Sequence, residues 1–497
     1  SFPPSTQRLQ RAGGGPVHSP RILLSFSEEL AKSSVEDIEE IDFSSFPVLG
    51  PYNIRKALNG PERDKWLEAM EKQIEEVVQK GTLLFVDKGN YPENLIIDGK
   101  WVLVKKLNEL GQVERFKGRI VARGFGQLEG INYAETYSST AKAASWRILL
   151  AIAVEDNLKY RQYDPVTAFL EPTLKETVEM KLFYGLEEYF RKRPELSKKY
   201  GYQEGRLILL INALYGLKQS AFEWQQVVVE RLGKLGFLPL KNDDAVYRNP
   251  TSRVVIATHV DDFLVVGKTE ELINLEPQLE GLIDIKKAAQ VTHLLGAKLK
   301  IDDDRRQIQF SLPAYIGKCI EELAGSDGIL KSVETPMVEK PTMITDPKPL
   351  DRGSPLRSVY QKLIGQLLFV AGKARPDITF AVALCSRKSS GPVEDDLKSV
   401  KRILRYLHGK ENYTITYSRG ATRGTLLGWS DASYATPGKG DGKSTTGWVF
   451  KMAGGVVSWN SKKQLVVALS SCEAELIAMN SAAREVAWIR ALVEEIR

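Results

Sequence analysis

The sequence has 497 residues, of which 43% are hydrophobic and 27% are charged, and its formal net charge is +6. These fractions are typical of a soluble globular protein with a sizeable core, and they exclude a disordered, low-complexity chain. A net charge of +6 is small for this length, so it permits a polyanionic partner without requiring one.

Neither a membrane span nor a secretion signal is predicted. The longest apolar run, Ile148 to Val154, is far below the ~20 residues that a spanning helix needs. The chain does not open with a basic segment followed by an apolar one, so we expect no secretory signal. The three cysteines lie far apart without metal-ligand spacing, which predicts reduced thiols in an intracellular protein.

The character of the chain changes near residue 50. Residues 1–50 combine Pro, Gly and Ser with an acidic run, which predicts a linker or N-terminal extension. Apolar residues at helical spacing between Pro61 and Gly81 predict a helix. Two alternating segments around "NELG" predict a basic hairpin over residues 99–127. Such a hairpin is either simply solvated or a contact for phosphate groups.

The candidates for chemistry lie at the ends of predicted strands. An extended segment ends at Asp164, and "THVDDFLVVGK" places Asp261 and Asp262 between two apolar runs. A buried carboxylate is unfavourable unless a partner or a cation compensates it. Strand ends that offer several carboxylates suit the divalent ions of phosphoryl transfer, whereas an ordinary surface turn is the alternative.

The second half of the chain contains further predicted elements. "HLLGAKLKIDDDRRQIQFSL" predicts a hairpin whose polar turn runs from Asp302 to Arg306. The apolar and basic faces of "DLKSVKRILRYLHGK" predict an amphipathic helix. From "TLLGWSDASYA" onward, the pattern predicts a strand, a hairpin and a long final helix.

Nine motifs together resemble the reverse transcriptase–ribonuclease H part of copia-type LTR retrotransposon polyproteins. The resemblance runs from about Pro51 to the end of the chain. In chain order the motifs are "GPERDKWLEAM", "ERFKGRIVARGFGQLEGINYAETYS", "RQYDPVTAFL", "LYGLKQSAFEW", "THVDDFLVVGK", "YQKLIGQLLFVAGKARPDITFAV", "KRILRYLHGK", "GWSDASYA" and "SKKQLVVALSSCEAELIAM".

The resemblance implies a multidomain α+β protein with the right-hand polymerase architecture. It implies RNA-directed and DNA-directed DNA polymerase activity, with nucleotidyl transfer onto a primer 3′-hydroxyl. The implied domains are an N-terminal linker (1–50), fingers with part of the palm (51–130), palm with fingers segments (131–285), primer-grip hairpin and thumb (286–350), connection (351–418) and a ribonuclease H-like domain (419–497).

Carried over residue by residue, the resemblance implies that Asp164, Asp261 and Asp262 form the polymerase metal site. The residues implied for the nucleotide site are Lys117, Arg119, Phe169, Tyr215 and Gly216. Arg119, with Lys117 as the weaker candidate, would hold the triphosphate. Phe169 would exclude a 2′-hydroxyl, with an ordinary core aromatic as the alternative, and Gly216 would allow close backbone approach.

The resemblance also implies a ribonuclease H-like metal site at Asp431 and Glu475, which are 44 residues apart. Glu473 is the less probable ligand because it lies on another face of the same predicted helix. The further acidic ligands of such a nuclease would follow a later strand. We therefore expect an incomplete nuclease site and little ribonuclease H activity unless the authentic protein continues beyond Arg497.

Four residues, at three places in the chain, depart from the family pattern without removing a catalytic group. His259 stands where the family usually has Tyr, Pro165 and Val166 replace Val-Lys, and Ala221 stands where Pro is common. His259 lies near the expected primer end, so the fidelity or the pH dependence of the protein could differ from that of the family.

The resemblance implies Mg²⁺ as the cofactor, with Mn²⁺ as the alternative. The implied partners are an RNA template, a DNA or tRNA primer, an RNA/DNA hybrid and deoxynucleoside triphosphates, with no membrane and with a dimer left open. The implied location is a cytoplasmic virus-like particle, with a nuclear stage left open. The alternatives are a domesticated, catalytically silent nucleic-acid-binding protein with this fold and a polymerase with a narrower task.

Overall fold

Strands and helices are interspersed along the chain. The computed structural model describes residues 48–497 except 90, 108–112, 288–290, 328–330, 339–348, 422–424 and 436–441. The predicted linker therefore lies almost wholly outside the described residues, as does the "NELG" turn. Residues 44–497 form one compact unit, and its division into the implied domains stays a prediction.

The elements confirm the α+β class. As far as residue 234 they are β1 (Val48–Tyr52), α1 (Ile54–Asn59), α2 (Arg63–Gln79), β2 (Leu83–Val86), β3 (Gly99–Leu107), β4 (Val113–Ala122), α3 (Ala143–Glu155), β5 (Lys159–Pro165), β6 (Thr173–Met180), α4 (Leu186–Arg191), α5 (Pro194–Tyr200), β7 (Leu207–Asn212) and α6 (Ser220–Lys234). Next come β8 (Leu238–Pro239), β9 (Val246–Arg248), β10 (Val255–His259), β11 (Asp262–Gly267), α7 (Thr269–Glu280), β12 (Ile285–Lys287), β13 (His293–Leu294), β14 (Ala297–Asp302), β15 (Gln307–Ser311) and α8 (Pro313–Asp327). The last are α9 (Pro355–Lys373), α10 (Thr379–Ser386), α11 (Glu394–Leu407), β16 (Ile415–Ser418), β17 (Leu427–Ser433), β18 (Thr445–Met452), β19 (Gly455–Lys463) and α12 (Ser471–Ile496).

Most predicted elements are confirmed. The helix predicted between Pro61 and Gly81 is α2, which buries its apolar stripe and is followed by Gly81 in the left-handed region at φ 65°. The basic hairpin is the antiparallel pair β3–β4, and the hairpin with the Asp302–Arg306 turn is β14–β15. Within the described ranges, every helix is too short or too polar to cross a bilayer.

A six-stranded antiparallel sheet carries the first three candidate aspartates. Its strand order is β12-β5-β11-β10-β9-β8, so the strand that ends near Asp164 lies directly beside the strand that begins at Asp262. Because successive side chains in a strand point to opposite faces, the sheet has two buried faces. Helix α3 packs on the face formed by Val255, Ala257, Leu264 and Val266. Helices α6 and α7 pack on the opposite face, formed by Tyr163, Ile256, Phe263 and Val265.

Hydrogen bonds connect the C-terminal elements to this sheet. The four-stranded sheet β13-β14-β15-β16 and the three-stranded sheet β17-β18-β19 follow in the chain. The Trp488 indole Nε1 on α12 donates to the Asn242 carbonyl at 2.9 Å, and the Arg248 Nε on β9 donates to the Ile496 carbonyl at 3.0 Å. Helix α12 is therefore attached to the sheet that carries the aspartates.

A buried guanidinium joins α9, α10 and α11. The side chain of Arg375 is 1% exposed and donates to both carboxylate oxygens of Asp377, with the shortest contact at 2.7 Å. It also donates to the Lys410 carbonyl at 2.7 Å, and the Tyr406 hydroxyl donates to Asp377 at 2.9 Å. Every charged atom in this cluster therefore has a partner, which is the condition for a stable buried charge.

Removing Asp377 should destabilise the protein strongly. The change Asp377→Ala leaves the buried Arg375 guanidinium without its carboxylate, so we expect the free energy of unfolding to fall by about 3 to 5 kcal/mol. The measurement is urea-induced unfolding followed by circular dichroism. Glu230→Ala is the control, because Glu230 is 67% exposed in an i,i+4 pair with Lys234. Such a pair contributes about 0.3–0.5 kcal/mol, and similar losses for both variants would contradict the prediction.

Candidate active site

The hairpin β10–β11 carries the aspartate pair at its tip. Its last Cα pair joins His259 to Asp262, so Val260 and Asp261 form the turn. Val260 has a φ of 58°, in the left-handed region that β-branched residues avoid. Such strain persists only where the surroundings fix the backbone, and it is frequent at functional sites.

Trp224 on α6 fixes this turn. Its indole Nε1 donates to the Val260 carbonyl at 2.8 Å, and the residue is 2% exposed. The backbone N–H of Ala141, just before α3, donates to the Thr258 carbonyl on β10 at 3.0 Å. The sequence analysis gave no role to Trp224. The only sign of its importance in the sequence is that a large aromatic residue ends the "LYGLKQSAFEW" motif.

Strand register brings the third aspartate to the same place. Strand β11 pairs with β5 with Phe263 opposite Tyr163, so one further step in the register sets Asp262 opposite Asp164. The Gln162 side-chain amide on β5 donates to the Asp262 carboxylate at 3.3 Å. The structure therefore brings together the aspartates that the sequence analysis assigned to one metal site.

The three carboxylates disfavour each other's charge. Removal from water and the neighbouring Asp261 raise the pKa of Asp164. The same two causes raise the pKa of Asp262 to about 6. Crowded carboxylates in a partly dry site behave in this way unless a cation neutralises them.

Two lysines of the basic hairpin face this cluster. Burial lowers the pKa of Lys117 on β4 to about 8, with Arg119 as the next cause. Burial also lowers the pKa of Lys106 on β3, while Asp164 and Asp261 oppose that shift. Cations that lose water and repel each other are poised to bind an anion. Both lysines are therefore partly withdrawn from water, and a phosphate contact by the hairpin stays a prediction.

Arg119, Tyr215 and Phe169 form a contiguous group. The Arg119 guanidinium lies 5.5 Å from the centroid of the Tyr215 ring, and the Phe169 ring meets Tyr215 edge to face at 5.2 Å. The buried Nε of Arg119 has no hydrogen-bond partner among the described residues. Burial raises the pKa of Tyr215. The charge of Arg119 opposes this shift, and the charge of Asp261 adds to it. This group therefore lies within electrostatic reach of the aspartates.

Gly216 is required by backbone packing. It has a φ of 88°, and a Cβ there would come within 2.2 Å of the Ala122 carbonyl oxygen at the end of β4. The Ala122 N–H donates to the Tyr215 carbonyl at 2.7 Å, so two backbones touch here. A role for Gly216 in close approach of a nucleotide stays a prediction, since this contact by itself explains the glycine.

A buried network of side-chain amides, which the sequence analysis missed, supports the same junction. Gln127 donates to Gln219 at 3.0 Å, and Gln219 donates to the Asn132 carbonyl at 2.8 Å. The Lys218 N–H donates to the Gln127 side chain at 2.9 Å. These side chains are nearly fully buried, so the network holds the loop after β4 against the start of α6.

Another cation interacts electrostatically with this hairpin. Lys373, the last residue of α9, is half-buried, and Asp262 favours its charged form. Burial and the Lys373 charge lower the pKa of His259, the residue that departs from the family pattern. The sequence analysis gave no role to Lys373, which is 111 positions from Asp262 in the sequence.

The second pair of candidate carboxylates lies on β17 and α12. Asp431 is exposed in the middle of β17, and Glu475 is half-buried near the start of α12, which packs on β17. Glu473 has a different role, because its carboxylate accepts from the Leu469 N–H at 2.6 Å and Ser470 caps the Glu473 N–H. A shared nuclease site for Asp431 and Glu475 stays a prediction.

The donor chemistry of the aspartate cluster fits a divalent metal ion. Hard divalent cations take carboxylate oxygens as ligands. A cation beside Asp164, Asp261 and Asp262 would offset the charge repulsion that contributes, with burial, to the raised pKa values of Asp164 and Asp262. In the part of the chain that the structure describes, no three His, Cys, Asp or Glu side chains yet converge as a ready-made site. Side-chain movement would therefore accompany binding of the ion.

The chain is similar to known polymerases over most of its length. A family model described as "Reverse transcriptase (RNA-dependent DNA polymerase)" matches residues 88–339, about half of the chain. The retrovirus-related Pol polyprotein from transposon TNT 1-94 of Nicotiana tabacum is 30% identical, over 90% of this chain and 33% of that protein. The one from transposon RE1 of Arabidopsis thaliana is 32% identical, over 89% of this chain and 29% of that protein.

Other similar proteins differ in length. The transposon Ty5-1 protein of Saccharomyces cerevisiae is 31% identical, over 65% of this chain and 100% of that protein. A foamy viral protease-reverse transcriptase in complex with double-stranded DNA has a TM-score of 0.47 at 14% identity, over 86% of this chain and 61% of that one. This chain spans about a third of the length of the plant Pol polyproteins that it matches.

Adding a methyl group at Gly216 should disrupt the junction that carries Tyr215. Gly216→Ala combines a left-handed backbone with a clash against a backbone carbonyl, so we expect a loss of roughly 2 to 5 kcal/mol in the free energy of unfolding. Chemical denaturation measures this loss.

Gly205→Ala is the matched control, because Gly205 has a φ of 83° with nothing within 4 Å of the added Cβ. It should lose only the backbone contribution of about 1–2 kcal/mol. Equal losses at both positions would mean that the contact between Gly216 and Ala122 is unimportant.

Proposed function

This chain belongs to the reverse transcriptase family of copia-type retrotransposon Pol polyproteins, and from that premise we propose that it is an RNA-directed and DNA-directed DNA polymerase. The observation that carries the proposal is the adjacency of Asp164 to the strained turn with Asp261 and Asp262. Lys106 and Lys117 of the basic hairpin act electrostatically on Asp164. Carboxylates for metal and cations for a triphosphate are what nucleotidyl transfer requires.

In the proposed reaction the primer 3′-hydroxyl oxygen attacks the α-phosphorus of a deoxynucleoside triphosphate in line. The new O–P bond forms as the bond to the departing pyrophosphate breaks. Asp164, Asp261 and Asp262 would hold Mg²⁺, or Mn²⁺ as the alternative. Bound metal supplies activation of the hydroxyl and neutralisation of the triphosphate.

The residues of the nucleotide side would act by position and charge. Arg119 and Lys117 would bind the triphosphate, Arg119 through its planar fork of donors. The edge-to-face contact with Tyr215 holds the Phe169 ring, which would reject a 2′-hydroxyl by occupying its space. The packed junction at Gly216 would keep Tyr215 and the end of β4 in one arrangement. Such preorganisation is how polymerases of this kind obtain most of their catalysis.

The proposed partners follow from the same chemistry. An RNA or DNA template, a DNA or tRNA primer and the resulting RNA/DNA hybrid are polyanions, and basic surfaces bind them through phosphates without reading sequence. Asp431 and Glu475 would contribute to a ribonuclease H-like site on that hybrid. A cytoplasmic virus-like particle as the location rests on the family alone.

A catalytically silent nucleic-acid-binding protein with this fold is not favoured. Binding to phosphates is weakened by three crowded carboxylates, which repel the ligand and each other. A protein selected only for binding would gain from losing at least one of Asp164, Asp261 and Asp262. Their presence together in one place supports the polymerase.

Neutralising the turn carboxylates should abolish DNA synthesis. In primer extension on an RNA template with Mg²⁺ and all four deoxynucleotides, we expect Asp261→Asn and Asp262→Asn each to lower the rate by at least about a hundredfold. Asp304→Asn, in the exposed turn between β14 and β15, is the control and should retain the wild-type rate. Extension that survives in both turn variants would exclude this metal site, and a wild-type protein that binds but never extends would favour the silent binding protein.

Loss of the Trp224 hydrogen bond should both slow synthesis and lower stability. Trp224→Phe keeps the aromatic packing and frees the turn at Val260, so we expect extension to fall roughly 10- to 100-fold through misplacement of the carboxylates. The free energy of unfolding should fall by about 1–3 kcal/mol because the Val260 carbonyl loses its buried partner.

The control is Trp146→Phe, since the Trp146 indole is also buried but its Nε1 has no hydrogen-bond partner among the described residues. It should change the extension rate less than about twofold, because the substitution removes no hydrogen bond. Equal rate losses in the two variants would show that general core packing, and not the bond to the turn, sets the rate.

A further inference from the structure

The turn that carries Phe169 lies between β5 and β6, and its backbone is strained. It contains one turn of 3₁₀ helix, Ala168–Leu170, and the residue before that helix, Thr167, has a φ of 53°. Threonine is β-branched, and such residues avoid the left-handed region. A strained turn keeps one conformation only where its surroundings fix it. The position of the Phe169 ring therefore depends on groups outside the turn.

Hydrogen bonds to the backbone hold both ends of this turn. At its start, the Val166 N–H donates to the Asp284 carbonyl at 2.7 Å. At its end, the Asn212 side-chain amide on β7 donates to the Leu170 carbonyl at 3.0 Å. The same amide donates to the Lys80 carbonyl, also at 3.0 Å. Three segments that are distant from one another in the sequence therefore meet at the turn.

Glu171, the residue after the 3₁₀ helix, adds a bridge of charges. One of its carboxylate oxygens accepts from the Lys80 ammonium, and the other accepts from the Arg231 guanidinium at 3.0 Å. The Glu171 side chain is only 16% exposed. Burial by itself would raise the pKa of Glu171, but the bonds from the two cations outweigh burial and leave the pKa lowered. The carboxylate is therefore ionised at neutral pH, and both of its bonds are charge-assisted.

Lys80, Glu171 and Arg231 together form a charge clamp on the turn. The Lys80 ammonium contacts Glu171 at the end of the turn and lies 3.6 Å from the carboxylate of Asp284, whose carbonyl holds the start. Lys80 directly follows α2, and Arg231 lies on α6, so the clamp ties the turn to two helices. The Phe169 ring is half-buried, and the clamp acts on it through the backbone of the turn.

We propose that the charge clamp determines how strictly the polymerase rejects ribonucleotides, because it holds the Phe169 ring where a 2′-hydroxyl would lie. The inference rests on the proposed function, in which Phe169 occupies that space. Glu171 is a positioning residue, since it acts on the ring through the turn. A ring that is free to shift leaves room for the hydroxyl, whereas the metal-binding carboxylates keep their places on the sheet. Loss of the clamp should therefore make ribonucleotides better substrates.

The test compares the use of a deoxynucleotide with that of the matching ribonucleotide. Single-nucleotide extension on an RNA template with Mg²⁺ gives kcat/KM for each, and the ratio of the two values is the selectivity. The variants are Glu171→Gln, Lys80→Gln, Phe169→Ala and the double variant that combines Glu171→Gln with Phe169→Ala. Glu171→Gln keeps the shape of the side chain and removes the charge that pairs with both cations.

Wild-type selectivity against the added hydroxyl should be at least about a hundredfold, and Phe169→Ala should lose most of it. Glu171→Gln and Lys80→Gln should each lower the selectivity about three- to tenfold, through a rise in kcat/KM for the ribonucleotide. General damage to the fold would lower both values and would not produce that rise. The double variant should be no less selective than Phe169→Ala alone, because the clamp acts only through that ring.

Two results would overturn the proposal. In the first, Glu171→Gln extends the primer with wild-type selectivity, which would mean that the backbone bonds alone hold the turn. In the second, the losses from Glu171→Gln and Phe169→Ala multiply in the double variant, so that the clamp acts on something other than the ring. Failure of the proposed function gives a different result, in which the wild-type protein extends no primer or Phe169→Ala keeps the full selectivity. In either case the inference falls with it.

Glu322→Gln on α8 is the matched control. The Glu322 side chain is 22% exposed, and its carboxylate lies 3.1 Å from the Lys362 ammonium and accepts from the Gln366 amide at 3.0 Å. This variant therefore removes a similarly buried charge in another part of the chain, and it should leave the selectivity unchanged.

Thermal unfolding of each variant establishes that it is folded at the assay temperature. If Glu171→Gln is unfolded there, the selectivity is read from Lys80→Gln, in which Glu171 keeps its bond from Arg231. Wild-type selectivity in that variant would overturn the proposal, and a gain in ribonucleotide use would support it.

Discussion

Antiparallel pairing of β5 with β11 is the interaction on which the rest of the site depends. It sets Asp164 opposite Asp262, and the tight turn of the β10–β11 hairpin adds Asp261. A slip of one residue in this register would send the carboxylate of Asp262 to the opposite face, against α6 and α7. The apolar residues on both faces of these strands prevent that slip, since each face is buried against its own helices.

Placing three carboxylates together creates a repulsion that other parts of the chain must balance. Removal from water, and next the charge of Asp261, raise the pKa values of Asp164 and Asp262. The cations that oppose these shifts come from the β3–β4 hairpin and from the end of α9, which is far from that hairpin in the sequence. Carboxylates with cations nearby form a site that can accept a metal ion together with phosphate groups.

The C-terminal elements belong to the same cooperative structure as the aspartate sheet. Arg147 on α3 donates to carbonyls of both α9 and β19, and Trp488 on α12 donates to the Asn242 carbonyl. These bonds use buried groups that would be left without partners if the C-terminal elements separated. The sheet that carries the aspartates is therefore supported by segments that lie outside the matched family region, and changes in them are expected to reach the aspartates through α3.

The sequence by itself determined the elements and the carboxylates, because local spacing is enough for both. Alternating and helical patterns predicted α2, β3–β4 and β10–β11, and the apolar flanks of Asp261 and Asp262 marked a turn with an unusual charge. It could not identify Trp224, the amide network around Gln219, or Lys373, since each acts through contacts between residues far apart in the chain. Only the tertiary structure decided which distant groups meet the aspartates, because burial and hydrogen-bond partners, and not residue type, make a tryptophan hold a turn or side-chain amides form a network.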